Sequence, residues 1–403
     1  MDLQEMIGGE CHPSFANVAD AFAENFELRK EVGASVCAFH KGEKVVDLWG
    51  GHTDETKETS WNEDTMSVVF SCTKAATALC AHLLVERGQL NLNAKVGDYW
   101  PEYACNGKED TTVLMMLNHS AGAAAFKDPI KPGGFADWDY IIGELERMEP
   151  WWKPGIRNGY HMISFGWTVG ELVRRVSGKS LGTFFREEFA EPLGTDFWIG
   201  LPEALESRLA PMIAFIPGPN DPLTPFTQAV VTDPESLQHK AMMNMGAPDF
   251  NARETHAAEL GGGGGISNAR GMAKLFSCLS PSSDMQMFSS DRIAAMGQVS
   301  AATREDATLL IPSRFGQGFM ASMDNRALPG GHEASVIMGR NAFGHVGMGG
   351  SVVFFDPDCD LVFAYSMNRM GAGILLNARG QSLIDAAYES LGYQSNASGA
   401  WMP

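Results

Sequence analysis

Four consecutive residues, Ser71-Cys72-Thr73-Lys74, place a hydroxyl and an amine three positions apart at the start of an amphipathic run, Ala75 to Glu86. Residues three apart share a helix face, so the two groups come within reach of each other. The first amides of a helix have no partner inside it, and the Ser71 N–H among them can face a developing negative charge. The stretch offers a nucleophile, a base for its proton and half of an oxyanion hole. The same spacing also fits an N-capping serine beside a surface lysine, so residues elsewhere in the chain have to decide.

Two other segments carry suitable groups. Tyr160 follows Trp151-Trp152-Lys153-Pro154-Gly155-Ile156-Arg157-Asn158-Gly159 and precedes a helix. Its phenol could share a proton with Lys74, whose ammonium would favour phenolate and lower the phenol's pKa; the bland alternative is a ring packed in a helix-entry loop. Phe343-Gly344-His345-Val346-Gly347-Met348-Gly349-Gly350-Ser351 combines a histidine with glycines just before a strand. Such a backbone approaches a ligand closely, and an edge N–H there could complete an oxyanion hole. The run Gly261 to Gly265 lacks the G-x-G-x-x-G and G-K-[ST] patterns of phosphate loops and reads as a tight reversal. Asn118-His119-Ser120-Ala121-Gly122 lacks the first glycine of a nucleophile elbow, which makes His119 a structural turn residue. The ten histidines form no H-E-x-x-H or other close metal-ligand set, so no metal is expected.

These segments must be positioned by elements whose periodicity is legible. Phe15, Val18, Ala19, Phe22 and Phe26 predict a helix over 14–30. Residues 34–39 and 44–49 predict a hairpin around Lys41-Gly42. The Ser71 helix runs to Arg87 and stops at Gly88. Residues 111–118 form a short helix, 123–159 are irregular, Ser164–Ser177 is helical, and Ser180 caps another helix. Residues 201–260 predict loops with short helices, followed by a helix to Leu279. Phe315–Phe319 is a strand, residues 351–355 and 361–365 form a second hairpin, and 378–391 a closing helix. Two strands cannot bury a face alone. The two hairpins therefore join in one antiparallel sheet with helices against it, giving an α+β chain in which 1–99 and 261–403 form the sheet domain and 100–260 a mainly helical insertion. Ser71 falls at their seam, where ligand clefts form.

The chain has 403 residues, 44% hydrophobic and 20% charged, with net charge −19. Such acidity argues against nucleic acid and anionic membrane as partners. Seven scattered cysteines without a C-x-x-C argue against a disulfide framework. No apolar run reaches the ~18 residues of a membrane helix, and the acidic Met1–Met6 start lacks a signal pattern. The expectation is a cytoplasmic protein acting on a small molecule, its oligomeric state left open.

In order, S-x-x-K, a tyrosine about 90 residues later and a glycine-flanked H-x-G before a strand resemble the serine β-lactamase and penicillin-binding-protein superfamily, and more closely its class C-like esterases, the family VIII carboxylesterases. Val46–Gly51, Leu117–Gly122 and Pro192–Gly194 add to the resemblance, which spans about 15 to 393. It implies a β-lactamase-like fold and a two-step acyl transfer that needs no cofactor: Ser71 is acylated, Lys74 eases the loss of its proton, Tyr160 is base for attack and acid for the leaving alcohol, and the amides of Ser71 and Met348 form the oxyanion hole. His345-Val346-Gly347 stands where the lactamases carry Lys-Thr-Gly, which makes His345 and Gly347 substrate-binding candidates. Met162 stands where they carry an asparagine. A thioether cannot donate to a lactam side-chain amide, and a histidine neutral at pH 7 is a poor partner for a lactam carboxylate. Both departures favour uncharged esters, with Trp151, Trp152 and Met242–Met245 as candidate pocket walls. A β-lactamase, a D-amino-acid peptidase and an acyltransferase are the alternatives.

Overall fold

A computed structural model describes residues 6–218 and 224–403. Met1–Glu5, most of the segment read above for a targeting signal, lie outside the described residues. So do residues 219–223, within the stretch expected to form loops with short helices. The strands are β1 (Ile7–Cys11), β2 (Gly33–His40), β3 (Glu43–Gly51), β4 (Ser67–Phe70), β5 (Phe197–Trp198), β6 (Gly265–Ser267), β7 (Ala301–Thr303), β8 (Ser313–Phe315), β9 (Met320–Ala321), β10 (Phe343–Val346), β11 (Val352–Asp356) and β12 (Leu361–Met367). Among the described residues they form a nine-stranded antiparallel sheet, β1-β3-β2-β12-β11-β10-β9-β8-β7, and a small one, β4-β6-β5.

The two hairpins meet as their patterns require. β2 pairs with β12 from His40 opposite Leu361 to Ala34 opposite Met367. Both faces of this centre are buried, so β12 reads as a continuous apolar run. Leu361, Phe363 and Tyr365 pack on one side with Phe15, Val18, Phe22, Leu383 and Ile384 from the N- and C-terminal helices, Ala16–Leu28 and Ala378–Ser390. Val362 and Ala364 pack on the other side with the helices Cys72–Glu86 and Ala269–Phe276. That second core also holds Trp100, Leu172, Phe184 and Leu260, so residues on both sides of the expected boundaries at 99/100 and 260/261 share one buried cluster.

Three elements differ from expectation. β1 pairs with β3 at the sheet edge; a five-residue strand with two glycines carries little pattern, and Gly8 and Gly9 are there because a Cβ at either would meet the Trp49 ring within 3 Å. The segment expected to be irregular contains the helix Trp138–Arg147, capped by the Asp137 side chain and burying Ile141, Ile142 and Leu145. The expected strand Phe315–Phe319 is instead two strands around a turn closed by Gly316 N–H to Phe319 O, with Gly318 at φ +96°. The run Gly261–Gly265 is the expected reversal, closed by the amides of Gly263 and Gly264 on Leu260 O. It is glycine because the chain passes against the start of the helix Ser164–Ser177: a Cβ at Gly262 would lie 2.3 Å from Ile163 O.

Candidate active site

β4 delivers the chain to Ser71 through a distorted step. Its register with β6 slips between Val68 and Phe70, and Phe70 has φ +43°, a left-handed conformation that costs a bulky residue on the order of 1–3 kcal/mol. Thr73 holds the step: its hydroxyl donates to Phe70 O at 2.5 Å and accepts from Gly265 N at 2.8 Å. Ser71 is thereby set at the N-cap of the helix Cys72–Glu86 with no side-chain capping bond, which leaves its hydroxyl available.

Lys74 is fully buried. Its Nζ stands 3.0 Å from Ser71 Oγ, 2.5 Å from Met162 O and within hydrogen-bond distance of Gly262 O. Burial drives its pKa well below that of a free lysine. A neutral amine has two N–H donors and one lone pair. Two of its three neighbours are carbonyls that only accept, and the third is a hydroxyl that can donate. The surroundings therefore match the neutral amine, with its lone pair on the Ser71 proton.

Tyr160 is brought to the same point. It lines the same cavity as Ser71, which acts to lower its pKa, and Lys74 Nζ lies 4.8 Å from its ring centroid. The shift runs opposite to the lowering that a neighbouring ammonium would cause. Burial, with Asp306 adding to it, pushes the Tyr160 pKa above the ordinary tyrosine value, and the nearby lysine, itself depressed, supplies no opposing cation. The phenol keeps its proton. Asp306 escaped the sequence reading because nothing in its local pattern marks it. It is fully buried; one carboxylate oxygen accepts from the amides of Tyr160, Thr308 and Leu309, each at 2.9 Å, and the other from the Ser313 hydroxyl, also at 2.9 Å. His119 holds the other flank as a left-handed turn residue, φ +65°, accepting the His161 amide on Nδ1 and the Gly159 amide on its carbonyl.

The glycine-rich segment is tied to the Ser71 helix. Ser351 Oγ donates to Val69 O at 3.0 Å, and the Cys72 thiol points to His345 O at 3.4 Å. Gly347 N–H donates to Ser351 O, and a Cβ on Gly347 would fall 2.3 Å from Val69 O. Met348 follows in the turn. Neither the Ser71 nor the Met348 amide has an acceptor among the described residues.

A cavity of about 550 Å³ opens from Ser71 and Tyr160. Met162, Met348 and Met242 line it, with Phe215, Phe226 and Leu309. The other candidates sit elsewhere. His345 is buried behind Tyr160, ring centroids 6.0 Å apart, with Nδ1 on Val346 O and its pKa lowered to about 3, mainly by burial. Gly347 shapes the turn without lining the cavity. Trp152 gives its indole N–H to Ser120 O and packs on Gly159, bracing the Tyr160 loop, while Trp151 bonds Ala125 O. Of Met242–Met245, only Met242 reaches the cavity. A large indole predicts burial, and only the fold decides which surface it meets. Among the described residues no group of three or more His, Cys, Asp or Glu is arranged to hold a metal, and no helix is long and apolar enough to cross a membrane.

Residues 18–385 match the beta-lactamase family. The chain belongs to that family. It is 30% identical over 385 residues to "Esterase/beta-lactamase LipL" of Mycobacterium tuberculosis (strain ATCC 25618 / H37Rv), covering 92% of this chain and 84% of the relative. Among solved structures, a family VIII carboxylesterase superposes with a TM-score of 0.81 at 35% identity, covering 95% of this chain and 99% of the other. A penicillin-binding-protein homologue from Caulobacter crescentus gives 0.82 at 34% identity, with the same coverage. The β-lactamase-like fold expected from the sequence is therefore the fold of this chain, a hydrolase of that family.

Proposed function

We propose that this beta-lactamase-family hydrolase is a carboxylesterase that works through an acyl-Ser71 intermediate. The observation that carries the proposal is the environment of Lys74: a buried amine 3.0 Å from Ser71 Oγ whose other neighbours are two carbonyls. Lys74 takes the Ser71 proton as Oγ attacks the ester carbonyl. The oxyanion lies against the free amides of Ser71 and Met348. Tyr160, protonated at the start, gives its proton to the departing alkoxide and is reprotonated from the Lys74 ammonium. Water then attacks the acyl-serine by the reverse route and releases the acid. The sequence reading gave Tyr160 the role of base for the attack; the opposite pKa shifts of Lys74 and Tyr160 support giving it to Lys74.

The choice of ester over lactam is supported by the cavity, whose lining among the described residues contains no lysine, arginine or histidine to hold a lactam carboxylate. The names of the relatives agree in part, one being an esterase/β-lactamase and another a family VIII carboxylesterase. The test is turnover of a short-chain nitrophenyl ester, with fluorophosphonate labelling read by intact mass. Ser71→Ala abolishes both the turnover and the adduct; an adduct retained in Ser71→Ala refutes the assignment. Nitrocefin hydrolysis as fast as ester hydrolysis replaces it with the lactamase reading.

A further inference from the structure

The cavity beside Ser71 carries one feature that ester hydrolysis does not use. Among the described residues its lining is methionine, aromatic, aliphatic, proline and glycine residues, with Thr224 and Thr227 the polar side chains besides Ser71 and Tyr160, and one carboxylate, Glu333. That carboxylate has no ion-pair or hydrogen-bond partner among the described residues. Its backbone is nonetheless fixed. Glu333 O accepts the amides of Ile374 and Leu375, both at 3.1 Å. Gly373, at φ +96°, lies so close that a Cβ there would sit 2.3 Å from Glu333 Cβ. The adjoining segment, Gly371 to Ile374, lines the same cavity. A half-buried carboxylate is thus carried by a hydrogen-bonded backbone at the wall of a mostly apolar cavity, where a charge acts over a longer range than on an open surface.

We propose that Glu333 is the counter-ion for a cationic nitrogen on the substrate, so that the cavity selects esters carrying an ammonium or quaternary ammonium group away from the scissile carbonyl and rejects those carrying a carboxylate. Phe215 and Phe226 on the cavity wall suit an alkylated cation, which gains from ring faces as well as from the carboxylate. The acidity of the whole chain, net −19, acts in the same sense on the approach of the substrate. This inference rests on the esterase reading for its catalytic arm, and its binding arm stands apart from it.

The experiment compares three nitrophenyl esters of matched size whose acyl chains end in tert-butyl, trimethylammonium or carboxylate. In the unaltered protein kcat/KM for the cationic ester exceeds that for the neutral one by about tenfold, the scale of a partly desolvated cation contact, and the anionic ester is the poorest. Glu333→Gln collapses the cationic-to-neutral ratio to near one, and Glu333→Lys inverts the order of the cationic and anionic esters. In the binding arm, butyltrimethylammonium is titrated by calorimetry into Ser71→Ala protein with and without Glu333→Gln. Weaker binding with the glutamine supports the proposal even where no ester is turned over. A cationic-to-neutral ratio near one in the unaltered protein, or a ratio and ammonium affinity that Glu333→Gln leaves intact, overturns it. Absence of turnover on all three esters with ammonium binding retained sinks the esterase reading alone.

Discussion

Acidification should unfold this protein through its buried histidines. His82, His161 and His345 are fully buried and held neutral, with pKa values lowered from 6.5 to about 4, about 4 and about 3, burial being the largest cause in each. His119 is lowered further in the same direction. A group with a depressed folded pKa binds its proton in the unfolded chain first, so stability is lost as pH falls below 6.5. Each histidine protonated only on unfolding contributes up to about 1.4 kcal/mol per pH unit. Between pH 7 and pH 5 the three with stated values together remove about 5 kcal/mol, a large share of the 5–15 kcal/mol that typically holds a domain folded. Buried carboxylates raised by burial, Glu31, Asp306, Asp356 and Asp385, act in the opposite sense, because they take up protons in the folded state first. A single substitution isolates the histidine contribution. His82 makes one hydrogen bond, from Nε2 to Gln317 O at 2.7 Å, which a glutamine amide can reproduce without titrating. Urea unfolding followed by tryptophan fluorescence at pH 7, 6 and 5 should show His82→Gln losing about 2 kcal/mol less than the unaltered protein over that range. Equal stability of the unaltered protein at pH 7 and 5, together with the same pH slope in His82→Gln, would refute the reasoning.

Further outcomes follow from the site. Lys74→Met should lower kcat by roughly 10²- to 10⁴-fold, the range of a lost general base, and in the unaltered enzyme kcat/KM should rise with pH along a limb well below 10.5, the ordinary lysine value; stopped assays across pH check both. Gly347→Ala forces a Cβ against Val69 O and should displace the Met348 amide, lowering kcat about 10- to 100-fold while fluorophosphonate labelling slows in parallel. Asp306→Ala strands three buried amides at about 1–3 kcal/mol each, so unfolding free energy should fall by at least about 3 kcal/mol. Asp306→Asn, which keeps an acceptor for those amides, should retain most of the stability in the same urea titration.

The chain's own pattern determined the periodic parts of this protein. Alternation and apolar runs in 34–49 and 351–365 specify two hairpins whose exposed edges and buried faces have no better partner than each other, and β2 on β12 is the result. Ser71 and Lys74 were legible because a helix fixes their separation by spacing alone. The protonation states were not legible, since they depend on solvent exclusion by residues far away in the chain: Met162 and Gly262 supply the carbonyls around Lys74, and Asp306 reaches Tyr160 across 146 positions. Nor could spacing separate Met162, which faces the cavity, from Trp152, which braces a loop. Local sequence dictates which groups share an element; the dielectric and the partners each group meets arise only when distant segments close over it, and those decide which of them carries the proton.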